Sequence, residues 1–150
     1  MKRFAFSLDK VLTYKEQVEY NLRSEYGQIM QRVAVQEKVI RQMDEEYDYR
    51  CSKYEEEKKR GCTIGDMKMH EEYLENLLFR IHKSRKVLER LKQEEEKKRQ
   101  EVIRAKTETS SIDKLKEKRI KEYAAVVRKE EENFIEEFVA NASSGKVEIG

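Results

Sequence analysis

Lys58-Lys59-Arg60-Gly61-Cys62-Thr63-Ile64-Gly65-Asp66 carries the strong helix-stop signal of this 150-residue chain. Three basic residues suit the negative end of a helix, Gly61 can take the left-handed conformation that closes it, and Asp66 is suited to cap a following helix. A turn confined to residues 61–66 is short enough to reverse the chain and lay the two helices antiparallel. Proline, which would break a helix, occurs nowhere in the sequence.

On the N-terminal side, Ser7 is suited to cap a first helix, with Phe6 and Val11 as the halves of a hydrophobic staple. The seam of that helix reads Leu8, Val11, Lys15, Val18, Leu22, Tyr26, Ile29, Val33, Gln36, Ile40, Met43, Tyr47, Arg50 and Tyr54. Alternating steps of three and four are the heptad period of helices that wrap around each other. Consecutive steps of four from Val18 through Leu22 to Tyr26 make a stutter, and Gly27 follows it as a weak point. On the C-terminal side the seam is Leu74, Leu77, Ile81, Ser84, Leu88, Leu91, Glu95, Lys98, Val102, Ala105, Thr109 and Ile112. It is apolar near the turn and polar at Glu95 and Lys98, which oppose the stutter and make the middle of the pair its loosest part. Thr107-Glu108-Thr109-Ser110-Ser111 lacks Gly and Pro, and the helix is expected to continue through it. The expected fold is all-α, an antiparallel two-helix coiled coil whose second helix is the longer.

Composition supports a narrow seam over a thick globular core: 43% of residues are charged, 37% are hydrophobic and there is no Trp. Lys and Arg number 33 and Asp and Glu 31, and the signs alternate within short runs, as on a solvated coiled-coil exterior. Glu56 with Arg60 and Glu94 with Lys98 have the spacing of intrahelical pairs. A net charge of +2 argues against a nucleic-acid partner, which requires a concentrated cationic surface. No apolar run approaches the ~20 residues of a membrane span, and the start of the chain is too polar for a signal peptide, so a cytoplasmic location is expected. Cys51 and Cys62 are read as free thiols of a reducing compartment, with a redox or intermolecular bridge as the other reading.

The helices differ in length, at roughly 53 and 75 residues, or ~80 and ~110 Å. Pairing about Thr63 brings Leu8 opposite Lys118, leaving Arg119 to Ala140 without a partner helix. That stretch nevertheless carries Ile120, Tyr123, Val126, Val127, Phe134, Ile135 and Phe138. Wet apolar surface of this extent marks a partner site, unless the segment from Met1 to Phe6 folds over it or two chains pair through it. Residues 1–140 form one hairpin domain in this reading, and the small, polar residues 141–150 a disordered tail.

Nothing in the sequence assembles a catalytic site. His70 and His82 lie twelve apart without a ligand set, His70-Glu71-Glu72 lacks the second His of a zinc-protease helix, and five scattered glycines form no phosphate loop. No catalytic residue, metal or cofactor is expected, and the chain is not read as an enzyme. Four of the eight tyrosines flank the turn. Tyr47 and Tyr54 fit the seam as core residues, whereas Tyr49 lies off it and Tyr73 flanks Leu74. Tyr is also favoured at binding surfaces, which makes the turn a second candidate site.

Phe4-x-Phe6-x-Leu8-x-x-Val11-Leu12-x-Tyr14-Lys15 resembles the opening of the flagellar export protein family FliJ. Leu115-Lys116-Glu117-Lys118, then Tyr123, then Glu131-Glu132-Asn133-Phe134-Ile135-Glu136-Glu137 is similar to its C-terminal pattern. Glu132, Asn133 and Glu136 replace the usual Gln, Lys and Asp of that pattern. Tyr73-Leu74-x-x-Leu77 with Ile81 fits the start of the family's second helix. The resemblance implies an antiparallel coiled coil similar to the γ subunit of rotary ATP synthases. It further implies that the terminal end inserts into the hexameric export ATPase FliI, through Phe4, Phe6, Tyr123, Val127, Phe134 and Phe138. The region near the turn, with Tyr47, Tyr54, Tyr73 and Leu77, would face the cytoplasmic side of the export gate protein FlhA, and export chaperones are further implied partners. Such a stalk promotes ATPase assembly and turnover, and is held at the inner membrane only through its partners. The competing reading is a non-catalytic scaffold or escort chaperone of a secretion system.

Overall fold

The computed structural model describes residues 3–149, with side chains through residue 145. Its elements are two helices, α1 (Asp9–Arg60, 52 residues) and α2 (Ile64–Ile149, 86 residues). They form the antiparallel helical hairpin that the seam pattern predicts, and α2 is the longer. Both helices are continuous: α1 runs through the weak point at Gly27, and α2 continues through residues 107–111 as expected. Thr109 and Ser111 are accommodated there because their hydroxyls donate back to the carbonyls of Ala105 and Thr107, at 2.9 and 3.0 Å.

The connection is tighter than residues 61–66. Among the described residues Gly61 alone adopts a positive φ, 93°, and its N–H donates to the Lys58 carbonyl at 3.3 Å. Lys58, Lys59 and Arg60 form the last turn of α1, where positive charge is favoured. Thr63, rather than Asp66, caps α2. Its Oγ1 accepts the Asp66 N–H at 3.1 Å and its carbonyl accepts the Met67 N–H at 3.0 Å. Asp66 instead lies in the first turn, where a carboxylate favours the positive end of the helix. At the other end Leu8, not Ser7, precedes α1: its carbonyl accepts the first helical bond, from Leu12 N–H at 2.8 Å.

The chain divides into two compact units, one formed by Tyr20–Ile103 and one by the segments up to Glu19 and from Arg104. In the first, Val33, Ile40 and Tyr54 of α1 are buried with Leu77, Ile81 and Leu91 of α2. Cross-helix pairs run in falling register. Tyr54 meets Glu71, Asp44 meets Arg85 at 3.2 Å, Glu37 meets Lys92 at 3.4 Å and Glu25 meets Lys98 at 2.9 Å. The polar seam residues are bonded. Gln36 donates to the Ser84 carbonyl at 3.0 Å, and Lys98 bridges Glu25 and Glu101, both at 2.9 Å, instead of pairing with Glu94. Those two hydrogen bonds, to Glu25 first, raise the Lys98 ammonium above its usual value against the opposing pull of desolvation.

In the second unit Leu12, Ala105 and Thr109 are buried. Lys15 meets Glu108 and Asp9 meets Lys116, each at 2.9 Å. The seam departs from the expected positions at two places. Val11 is 42% exposed and Leu12 takes its place inside, which dissolves the proposed staple; near the turn Cys51 is half-buried and Arg50 is exposed. At both sites a step of four replaces a step of three, because a helix of 3.6 residues per turn drifts from a strict seven-residue repeat. Val18 and Glu19 are both half-buried, so the interior position at the proposed stutter is shared by two residues. All twelve expected seam residues of α2 are buried or half-buried.

Candidate partner-binding surfaces

The far part of α2 is built from strong helix formers, Lys, Glu, Arg and Ala, and contains no proline. Its helix therefore continues where contacts with α1 end. Every residue from 128 to 144 is exposed. Phe134 is 69% exposed and Phe138 67%, with Ile135 and Val139 beside them on the same helix and comparably open. Phe134 and Ile135 line a shallow apolar hollow edged by Glu130 and Glu131. The candidates nearer the hairpin differ. Phe4, Phe6, Tyr123 and Val127 are half-buried, and the ring of Phe4 rests on that of Tyr123 with centroids 5.5 Å apart. The Phe4 ring thus covers Tyr123 and leaves Phe134 and Phe138 open. Val139 was missed by sequence reasoning, although it lies four residues beyond Ile135 and so on the same face.

Near the turn the candidate residues lie deeper. Leu77 is 0% exposed and Tyr54 6%, so both are interior residues that hold the end of the hairpin together. The Tyr54 ring stacks on His70 with centroids 4.9 Å apart and planes 12° from parallel, and its hydroxyl donates to Glu71 at 3.0 Å. Burial first, and the bond to Glu71 second, push its phenol above the usual value. Tyr47 is half-buried and its phenol is also raised, chiefly by hydrogen bonding with Cys51. Tyr73, half-buried, bonds to Glu46 and lies under the guanidinium of Arg50, which stands 4.6 Å from the ring centre. His70 in turn bonds to Glu57. The open residues here are others. Ile64 is 76% exposed, Met69 71% and Tyr49 59%, with Lys53 above the Tyr49 ring. Their off-seam spacing was the available signal. Cys51 and Cys62 are free and half-buried.

Among the described residues no helix is long and apolar enough to cross a membrane, and no group of three His, Cys, Asp or Glu could hold a metal ion. The chain is thus a coiled-coil hairpin whose longer helix leaves aromatic surface exposed. The family model for the flagellar FliJ protein matches residues 4–148, and the chain belongs to the FliJ family. Membership makes it a protein related to flagellar export, in a family whose members are non-catalytic export components. No curated protein and no solved structure matches the chain.

Proposed function

We propose that this chain is the stalk of the flagellar export apparatus, binding the hexameric export ATPase FliI and linking it to the gate protein FlhA. The observation that carries the reading is the exposure of Phe134, Ile135, Phe138 and Val139 on a helix segment with no partner helix. Large aromatic residues held open on a rigid helix supply much contact area at little cost in side-chain entropy. In this reading, insertion into the ATPase ring buries them while Arg119, Arg128 and Lys129 meet acidic loops. At the turn, Tyr47, Tyr54, Tyr73 and Leu77 set the shape of the gate-facing end. Tyr54 and Leu77 act from the interior, and Tyr49, Met69 and Ile64 offer the surface. Coupling then requires only that the two ends bind different machines and that the paired helices transmit force or position. Association with the inner membrane and with export chaperones follows through these partners.

The test is to titrate the purified chain into the flagellar ATPase of the same organism and follow ATP turnover. Stimulation saturating near one chain per hexamer is expected. Binding without stimulation favours an escort or scaffold, and absence of binding overturns the assignment.

A further inference from the structure

The exposed part of α2 has an ordered charge pattern. Residues 118–129 contain Lys118, Arg119, Lys121, Arg128 and Lys129 against a single acid, Glu122. Residues 130–137 contain Glu130, Glu131, Glu132, Glu136 and Glu137 and no cation. The sign therefore reverses between Lys129 and Glu130, within the stretch whose apolar side chains lack a partner helix. A segment that is basic in its first half and acidic in its second is complementary to itself when turned end for end. We infer that α2 residues 118–138 pair antiparallel with the same residues of a second copy of this chain.

A two-fold axis close to the charge reversal meets the requirement that one patch contact itself. With the axis at Lys129, Glu130 of each copy comes opposite Arg128 of the other and Glu137 opposite Lys121, while Glu136 faces Glu122 and the two Lys129 residues face each other. The same register suits the apolar residues: Phe138 comes opposite Ile120, and Phe134 opposite Ala124, a large side chain facing a small one. Ile120 is 44% exposed and Phe138 67%, so both have surface left to bury. Pairing centred on the aromatic residues themselves would oppose the two glutamate clusters, and like charges across an interface cost several kcal/mol. The inference stands on the charge order and the open face and not on the export reading. An ATPase bound to the same face would compete with the second copy.

The test is sedimentation velocity of the full chain over a concentration series at low and high salt. A species of twice the 18.1 kDa chain mass is expected, weakening as salt screens the pairs. A monomer throughout, as when the N-terminal segment is the only cover of this face, overturns the inference. Two charge-reversed proteins make the test specific. One carries Glu130→Lys, Glu131→Lys and Glu132→Lys, the other Lys121→Glu, Arg128→Glu and Lys129→Glu. Each alone is expected to dimerise at least about tenfold more weakly, and the equimolar mixture to recover a heterodimer. Circular dichroism confirms that both keep their helicity, as exposed positions should. Undiminished dimers in either protein alone, or no recovery in the mixture, overturn the pairing. Absence of ATPase binding by the parent chain, with its dimer intact, counts only against the stalk reading.

Discussion

The ring of Phe4 lies on the ring of Tyr123, centroids 5.5 Å apart and planes tilted by 54°. Residues 3–8, before α1, are not helical, so this contact fixes a non-helical segment against α2. A tilted aromatic pair contributes about 0.5–1.5 kcal/mol beyond simple burial. Phe4→Ala should therefore lower stability by about 1–2 kcal/mol, the ring pair plus part of its burial. Hydrogen exchange should show amides near the start of α1 opening faster, with little change near the turn. Equal acceleration across both helices would contradict a local role.

Leu77 and Phe134 form an opposed pair for mutation, one 0% and the other 69% exposed. Leu77→Ala leaves a cavity in the interior and should cost about 2–5 kcal/mol. Phe134→Ala removes a side chain that water already surrounds and should change stability by less than ~0.5 kcal/mol. Denaturant unfolding of the two variants measures both values. A large loss from Phe134→Ala would mean that this residue already has a folded partner.

The seam of α2 was fully legible in sequence because its three-four spacing is strict and long. That of α1 slipped by one residue at Val11 and at Arg50. At those places the true interior residues, Leu12 and Cys51, are also apolar or small, and the drift of 3.6 against 3.5 residues decides between neighbours. Capping of α2 was misplaced for a similar reason: Thr63 and Asp66 are both good caps, and only the Thr63 Oγ1 geometry chooses. The open aromatic stretch followed from arithmetic on helix lengths. The turn surface did not. The seam puts Tyr54 inside and Tyr49 outside, as found, but the gate-facing set took in the interior residues Tyr54 and Leu77 and left out Tyr49.

The turn makes a separable stability prediction. Thr63→Ala removes the side-chain acceptor for the Asp66 N–H and should cost about 1 kcal/mol. Gly61→Ala meets no steric obstacle, since a Cβ there would touch nothing within 4 Å, but the φ of 93° remains strained for any L side chain. A cost of about 1–2 kcal/mol is expected. Thermal melts of the single and double variants check both values. A neutral Gly61→Ala would imply that the turn relaxes out of the left-handed region.

Lys15 and Glu108 give the hairpin a bounded pH dependence. The bond from Lys15 holds the Glu108 carboxyl below its ordinary 4.5, so this stabilisation is complete above that value and fades as pH falls through the lower folded value. The same bond holds the Lys15 ammonium above 10.5; its contribution is complete below that value and fades as pH rises through the higher folded one. Glu108→Gln should therefore be less stable than the parent between these limits and should converge with it in acid. Urea titrations of both proteins at neutral and acidic pH read the difference. The effect should be modest and shrink with salt, as for any exposed pair. A gap that persists in acid would assign the loss to packing.

Residues Asn141–Ser144 are exposed on a helix that continues to Ile149, beyond the limit of 140 expected for the hairpin. Residue 150 and the side chains from 146 lie outside the described residues. A helix end without tertiary contacts depends on propensity alone, and Ala-Ser-Ser-Gly supplies little of it. We propose that residues 141–150 behave in solution as a tail separate from the hairpin of residues 1–140. Their amides should exchange without measurable protection, and truncation after Ala140 should leave the melting temperature unchanged. A lowered melting temperature would show that the segment packs.

Phe134 and Phe138 provide the decisive test of the stalk reading. Both lie on one face of α2, four residues apart, and are 69% and 67% exposed. Replacing both with Ser removes apolar surface without opening a cavity, so helicity should be retained. If these rings anchor the chain in the ATPase ring, each truncation should cost about 2 kcal/mol or more of binding, as for aromatic hot spots. The pair would then weaken affinity by roughly a thousandfold, since ~1.4 kcal/mol is tenfold. Isothermal titration against the ATPase, with circular dichroism to confirm folding, measures it. Unchanged affinity in a fully helical variant would remove this face from the ATPase interface and leave the basic residues from Arg119 to Lys129 as the next place to look.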